Sequence, residues 1–74
     1  MTIHFIIESL TLEFWVNDFP GVPHKGDLVN PYHLYTKQDE KREILGDHIY
    51  VVESMVWGKN EKGDYSIMVF LTPT

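Results

Sequence analysis

The sequence predicts an all-β domain, a small barrel of about five antiparallel strands. Two long alternating runs, 48–58 and 64–72, face each other across a polar turn at 59–63. A length of 74 residues allows one domain, 1–74, with a single core. The chain has no cysteine, so neither disulfides nor thiolate zinc sites stabilise that core. Aromatic packing or self-association must therefore compensate for the small size.

The first two predicted strands cover residues 2–8 and 10–17. Apolar side chains alternate in both runs: Ile3, Phe5 and Ile7 in the first, and Leu10, Leu12, Phe14 and Val16 in the second. The alternation changes from odd to even positions at Glu8 and Ser9, which indicates either a hairpin turn or a bulge. Because an unbroken strand over both runs would exceed the usual length, we favour the hairpin.

A structural turn is predicted between the second and third strands. Residues 17–23 contain two prolines and a glycine, which interrupt regular structure, and a short strand follows at 27–30. Pro23, Gly26 and Asp27 carry the turn, because Gly26 tolerates positive φ and the Asp27 carboxylate can bond to nearby backbone.

One short helical turn is predicted after Pro31. Asn30 is a favourable N-cap, proline suits the first helical position, and Gly46 is a suitable stop. The middle of this segment, 36–43, is wholly polar and lacks the apolar stripe of a packed helix. We therefore expect a solvated excursion there. Whether 31–45 covers the core or forms a mobile functional loop stays open.

The C-terminal hairpin has apolar side chains on both faces. A bulge near Glu53 and Ser54 would bring Tyr50, Val52, Met55 and Trp57 to one side. In the last strand, Ile67, Val69 and Leu71 share one face, whereas Met68 and Phe70 lie on the other. This second face predicts a cover, and a second copy of the chain would supply one through a twofold interface.

The motifs Pro23-x-x-Gly26-Asp27-x-Val29, Tyr50-x-Val52 and Val56-Trp57 resemble a group of small bacterial and phage-type proteins with Src-homology-3-like barrels. The resemblance touches 20–29 and 48–72, about half of the chain, and its motifs specify turns. It implies a fold and no catalytic activity. Src-homology-3 peptide binding typically uses paired tryptophans, but Gly58 follows Trp57, and the insertion at 31–45 is longer than expected. Both departures argue against peptide recognition.

The sequence shows no pattern typical of an enzyme or a metal site. The four histidines, His4, His24, His33 and His48, lack the spacing of metal ligands. Glu53 is the one acid within an apolar run, and the bulge is expected to expose it to water. No serine has a glycine-flanked nucleophile elbow, and no glycine-rich phosphate loop is present. We predict a non-enzymatic protein without cofactor or metal.

The leading functional hypothesis is a binding or accessory module that acts through protein contacts, with a partner or as a homodimer. Its candidate interface residues are Trp15, Phe19, Met68 and Phe70. The alternative is a small barrel that binds nucleic acid by stacking bases on Trp15, Tyr32 and Tyr35. The net charge of −5 and the scattered basic residues disfavour this alternative.

The chain is expected to be cytoplasmic and independent of membranes. Its first residues lack the basic region and cleavage site of a signal peptide, and no apolar run reaches the ~20 residues that span a bilayer.

Overall fold

The computed structural model describes residues 2–59 and 61–74. It contains one mixed five-stranded sheet, curled into a half-barrel. The strands are β1 (Thr2–Ile7), β2 (Leu12–Val16), β3 (Leu28–Val29), β4 (Tyr50–Lys59) and β5 (Tyr65–Pro73), in the spatial order β2-β1-β5-β4-β3. The short helices α1 (Pro31–Leu34) and α2 (Glu40–Leu45) lie between β3 and β4.

The prediction of an entirely antiparallel sheet is wrong. β1 pairs in parallel with β5, with Ile3 beside Ile67 and Phe5 beside Val69. The other three pairs, β1–β2, β4–β5 and β3–β4, are antiparallel. Hairpin signals reveal local antiparallel pairs, whereas the contact between the first and last strands forms only when the whole chain folds.

The predicted N-terminal hairpin is confirmed, and a 3-10 turn joins its strands. This turn covers Glu8–Leu10, and Thr11 follows it with a φ of 53°. The Thr11 backbone N–H donates to the Glu8 carbonyl at 3.0 Å, which closes the turn. The observed strands are therefore shorter than the predicted 2–8 and 10–17, because the turn uses residues from both.

The other three strands lie close to their predicted positions. β3 is shorter than 27–30, and β4 and β5 begin and end within two residues of 48–58 and 64–72. The predicted bulge is present, as a register shift between Val52 and Ser54. Asn60, part of the predicted turn at 59–63, lies outside the described residues.

The prediction of a single helical turn is wrong, because the polar stretch contains a second helix. α1 begins as expected, with the Asn30 side chain accepting a hydrogen bond from the Tyr32 backbone N–H. At α2, the Asp39 carboxylate accepts from the Lys41 backbone N–H at 3.0 Å, and Gly46 ends the helix. An N-cap can start a helix without an apolar stripe when one buried side chain, here Leu45, anchors its end.

The core lies on one face of the sheet, which we call the inner face. Ile3, Phe5 and Ile7 of β1 are fully buried, as are Ile67 and Val69 of β5. Further buried residues are Phe14, Tyr35, Leu45, Tyr50, Val52 and Leu71. The segment 31–45 therefore does cover the core, through Tyr35 and Leu45.

Candidate protein-binding surface

The opposite face of the sheet, which we call the outer face, carries a continuous row of side chains. Cross-strand register places Trp15 beside His4, His4 beside Met68, and Met68 beside Val56. This row crosses β2, β1, β5 and β4 in sequence. Neighbouring side chains on one sheet face contact one another, so the row forms a single surface.

A second row lies next to the first. Glu13 pairs with Ile6, Ile6 with Phe70, and Phe70 with Ser54. Together the apolar members of both rows define the outer-face patch: Ile6, Trp15, Val56, Met68 and Phe70. Ile6, Met68 and Phe70 are half-buried by their neighbours, whereas the side chains of Trp15 and Val56 are 57% and 50% exposed.

Trp15 is held in place at the edge of the outer-face patch. Its ring stacks on the His4 imidazole, with centroids 4.3 Å apart and planes 11° apart. His4 in turn lies 3.1 Å from the Glu13 carboxylate through Nε2. A stacked aromatic ring loses little further side-chain freedom on binding, which lowers the entropic cost of contact with a partner.

The segment 31–45 does not cover Trp15. Tyr35 instead packs edge-on against Phe14, which neighbours Trp15 in β2 but points to the inner face, with ring centroids 5.5 Å apart. Phe14 is buried, so the helical segment completes the core and leaves the tryptophan exposed. Trp15 is therefore a surface residue.

The structure brings together three of the four predicted interface residues. Trp15, Met68 and Phe70 share the outer face, but Phe19 does not. Phe19 is half-buried and packs edge-on against Phe5, with ring centroids 5.7 Å apart. Sequence reasoning missed His4, Ile6 and Val56 as members of this surface, although their alternation with buried neighbours gave a signal.

The predicted structural turn is well formed. The Asp27 backbone N–H donates to the His24 carbonyl at 3.0 Å, and the His24 backbone N–H donates to the Asp27 carboxylate at 2.8 Å. Gly26 has a φ of 93°, which fits the third position of a type II turn. Pro23 is buried beside it. These residues attach β3 to the sheet.

The stacking surface proposed for nucleic acid is not assembled. Tyr35 is buried, and its hydroxyl donates to Asp39 at 2.6 Å. Tyr32 is covered on one side by the Arg42 guanidinium, whose carbon lies 3.9 Å from the ring centroid. Tyr35 therefore offers no open face to a base, and one face of Tyr32 is already occupied.

Two side chains with shifted pKa values, Tyr35 and Asp39, are hydrogen-bonded to each other. The Tyr35 hydroxyl, together with backbone N–H groups at the start of α2, lowers the pKa of Asp39 from its ordinary 3.8. The same hydrogen bond raises the pKa of Tyr35 above 10.0. This pair fastens the start of α2 to the core.

Two further observations concern metals and membranes. Within 2–59 and 61–74, no three side chains of histidine, cysteine, aspartate or glutamate lie close enough to hold a metal ion. Over the same residues, the structure contains no helix long and apolar enough to cross a membrane.

Glu53 is exposed at the bulge, as its sequence position predicted.

Comparison of the chain with protein-family models, with curated proteins and with solved structures finds no match.

Proposed function

We propose that the chain is a non-enzymatic module that binds a protein partner through the outer-face patch. The observation that carries this proposal is the exposed, stacked Trp15 at one end of an apolar row that continues through Met68 to Val56. Exposed tryptophan on an ordered surface is typical of the residues that dominate binding energy at protein interfaces.

The charge around the outer-face patch supports a protein partner over a nucleic acid. Glu13 borders Trp15, and the whole chain carries a net charge of −5. Two basic residues, Lys37 and Lys41, line the same hollow as Trp15, but Glu13 lines it too, and the buried Tyr35 offers no stacking face to a base. We also propose that the fold is a Src-homology-3-like barrel and that the protein is cytoplasmic. Both parts of the proposal come from the sequence.

The test compares surface variants by co-purification from the source cells after chemical cross-linking. We expect Trp15→Ala and Met68→Lys to lose the partner that the wild-type chain retains, because both remove apolar contact area. Glu43→Lys serves as the control, since Glu43 is exposed on α2 and lines a hollow with Tyr32 and Arg42 that does not include Trp15. Circular dichroism checks that each variant is folded.

Two results would contradict the proposal. One is a set of captured proteins that is identical for the wild type and both patch variants. The other is tight binding of single-stranded oligonucleotides that weakens steeply with salt, which would favour the nucleic-acid alternative.

A further inference from the structure

The strand β4 has a free edge over most of its length. β3 pairs only with Tyr50 and Val51, and the turn before it adds hydrogen bonds to Val52. Beyond the bulge at Glu53, residues 54–59 pair with β5 on one side and with no strand among the described residues on the other. Unpaired strand edges bind further strands through their backbone groups.

The direction of the backbone groups along this edge follows from Val52. Its N–H donates to the Asp27 carbonyl, and its carbonyl accepts from the Gly26 N–H, both at 2.9 Å. These groups therefore point away from β5, where Val52 pairs with Leu71.

The bulge shifts the register of β4 after Val52, so the direction of its later backbone groups is followed along the regular partner strand β5. Val69 and Ile67 lie two and four residues before Leu71, and they pair with Met55 and Trp57. Because hydrogen-bonding direction alternates along a strand, Met55 and Trp57 present their N–H and carbonyl groups to the free edge. Val56 directs its own groups towards β5.

We propose that this edge pairs with the same edge of a second copy, antiparallel and about a twofold axis at Val56. This register places Met55 opposite the second copy's Trp57, so that each pair exchanges backbone hydrogen bonds. It also places Glu53 opposite the second copy's Lys59, at both ends of the interface. The segment 53–59 is thus complementary to itself in charge and in apolar character.

Exposure on this edge fits such a partner. Val56 and Trp57 are 50% and 55% exposed, and Glu53 and Lys59 are exposed at the two ends. Flexible methionine packs favourably against an aromatic ring, and the register provides that contact twice. The result is a ten-stranded sheet in which the two outer-face patches lie on the same side. This inference does not depend on the proposed partner binding.

The first experiment introduces a thiol into a chain that has no cysteine of its own. In the proposed register Val56 faces its own copy in a non-hydrogen-bonded pair, with Cα atoms about 4.5 Å apart, within disulfide range. Val56→Cys should therefore give a covalent dimer quickly under mild oxidation. Ser54→Cys is the matched control, since its copies would lie about four residues apart along the strand, roughly 13 Å.

The second experiment reverses charges and measures association by sedimentation equilibrium up to the millimolar range. Glu53→Lys and Lys59→Glu should each raise Kd roughly tenfold at low salt, because two ion pairs per dimer become repulsive. The double variant should restore association, which a folding defect would not. Lys37→Glu is expected to leave Kd unchanged.

Any of three outcomes would overturn the proposal. They are a wild-type chain that is monomeric up to the millimolar range, equal cross-linking rates for the two thiol variants, and a Kd of self-association that neither single charge reversal changes. A dimer abolished by Phe70→Glu and unaffected by the reversals would instead place the interface on Met68 and Phe70, the contact predicted from the sequence. Loss of partner binding in Trp15→Ala with intact self-association would show that the two surfaces act separately.

Discussion

At the scale of single residues, Thr11 and Asp18 are the two described residues other than glycine with positive φ, and Thr11 is the one whose side chain tolerates it less well. This β-branched residue adopts a φ of 53° at the end of the first turn. Such residues rarely occupy the left-handed region, where asparagine is better tolerated. The strain persists because the turn must reverse the chain between two strands that both contribute to the core.

Thr11→Asn should therefore stabilise the protein by about 0.5–1 kcal/mol, by relieving this strain. Urea unfolding followed by tryptophan fluorescence measures the change in the free energy of unfolding. Thr36→Asn, at an exposed position without positive φ, is the control and should leave it within ~0.5 kcal/mol. Equal effects at both positions would contradict the argument.

The hydrogen bond between Tyr35 and Asp39 makes stability depend on pH. The folded-state pKa of Asp39 is lower than its ordinary value of 3.8, so the carboxylate stabilises the fold above that value. The contribution is lost as pH falls through the lowered pKa. The raised pKa of Tyr35 has its effect at alkaline pH. The stability that the protonated hydroxyl contributes declines as pH rises beyond 10.0.

Tyr35→Phe keeps the ring contact with Phe14 but removes the hydroxyl that lowers the pKa of Asp39 most. The stability advantage of the wild type over this variant should be present at neutral pH and should shrink below pH 3.8. Urea unfolding at a series of pH values measures it. An advantage that is constant from neutral to strongly acidic pH would contradict this assignment.

At the scale of elements, the turn at residues 24–27 decides whether β3 joins the sheet. The reciprocal hydrogen bonds between His24 and Asp27 close it, and Gly26 and Asp27 then bond to Val52 in β4. A two-residue strand forms few backbone hydrogen bonds of its own, and those between the turn and Val52 add to its attachment to β4.

Gly26→Ala should destabilise the fold by about 1–2 kcal/mol, because φ at this position is 93° although the added methyl would meet open space. Gly21→Ala is a matched control in the same loop, with equal space and no positive φ. The control should be neutral or slightly stabilising, since alanine restricts the unfolded chain. Thermal unfolding of the two variants distinguishes backbone strain from crowding.

At the scale of the whole molecule, stability depends on a small aromatic cluster on the inner face. Phe5 is fully buried and contacts Phe14 and Phe19, with ring centroids 5.3 and 5.7 Å away. Such pairs add to the energy of burial. With one core and no disulfide, the chain has few other sources of stability.

Phe5→Ala should cost about 3–5 kcal/mol, which is comparable with the total stability of a domain this small. We expect the variant to be largely unfolded by circular dichroism at 25 °C. Leu28→Ala, at a side chain that is 69% exposed, is the control and should change stability by less than ~0.5 kcal/mol. A folded Phe5→Ala variant with a sharp transition would show that the core has another anchor.

Local pattern alone determined the strands, the first hairpin, the turn at Gly26 and the bulge at Glu53, because alternation and turn chemistry act between near neighbours. It also identified Trp15, Met68 and Phe70 as side chains that point away from the core. Only the tertiary structure decided that β1 pairs in parallel with β5, since that contact joins distant parts of the chain. The same pairing aligns Trp15, His4 and Met68 in one row and leaves the edge of β4 unpaired. Surfaces formed by distant strands depend on strand order, which local sequence does not encode.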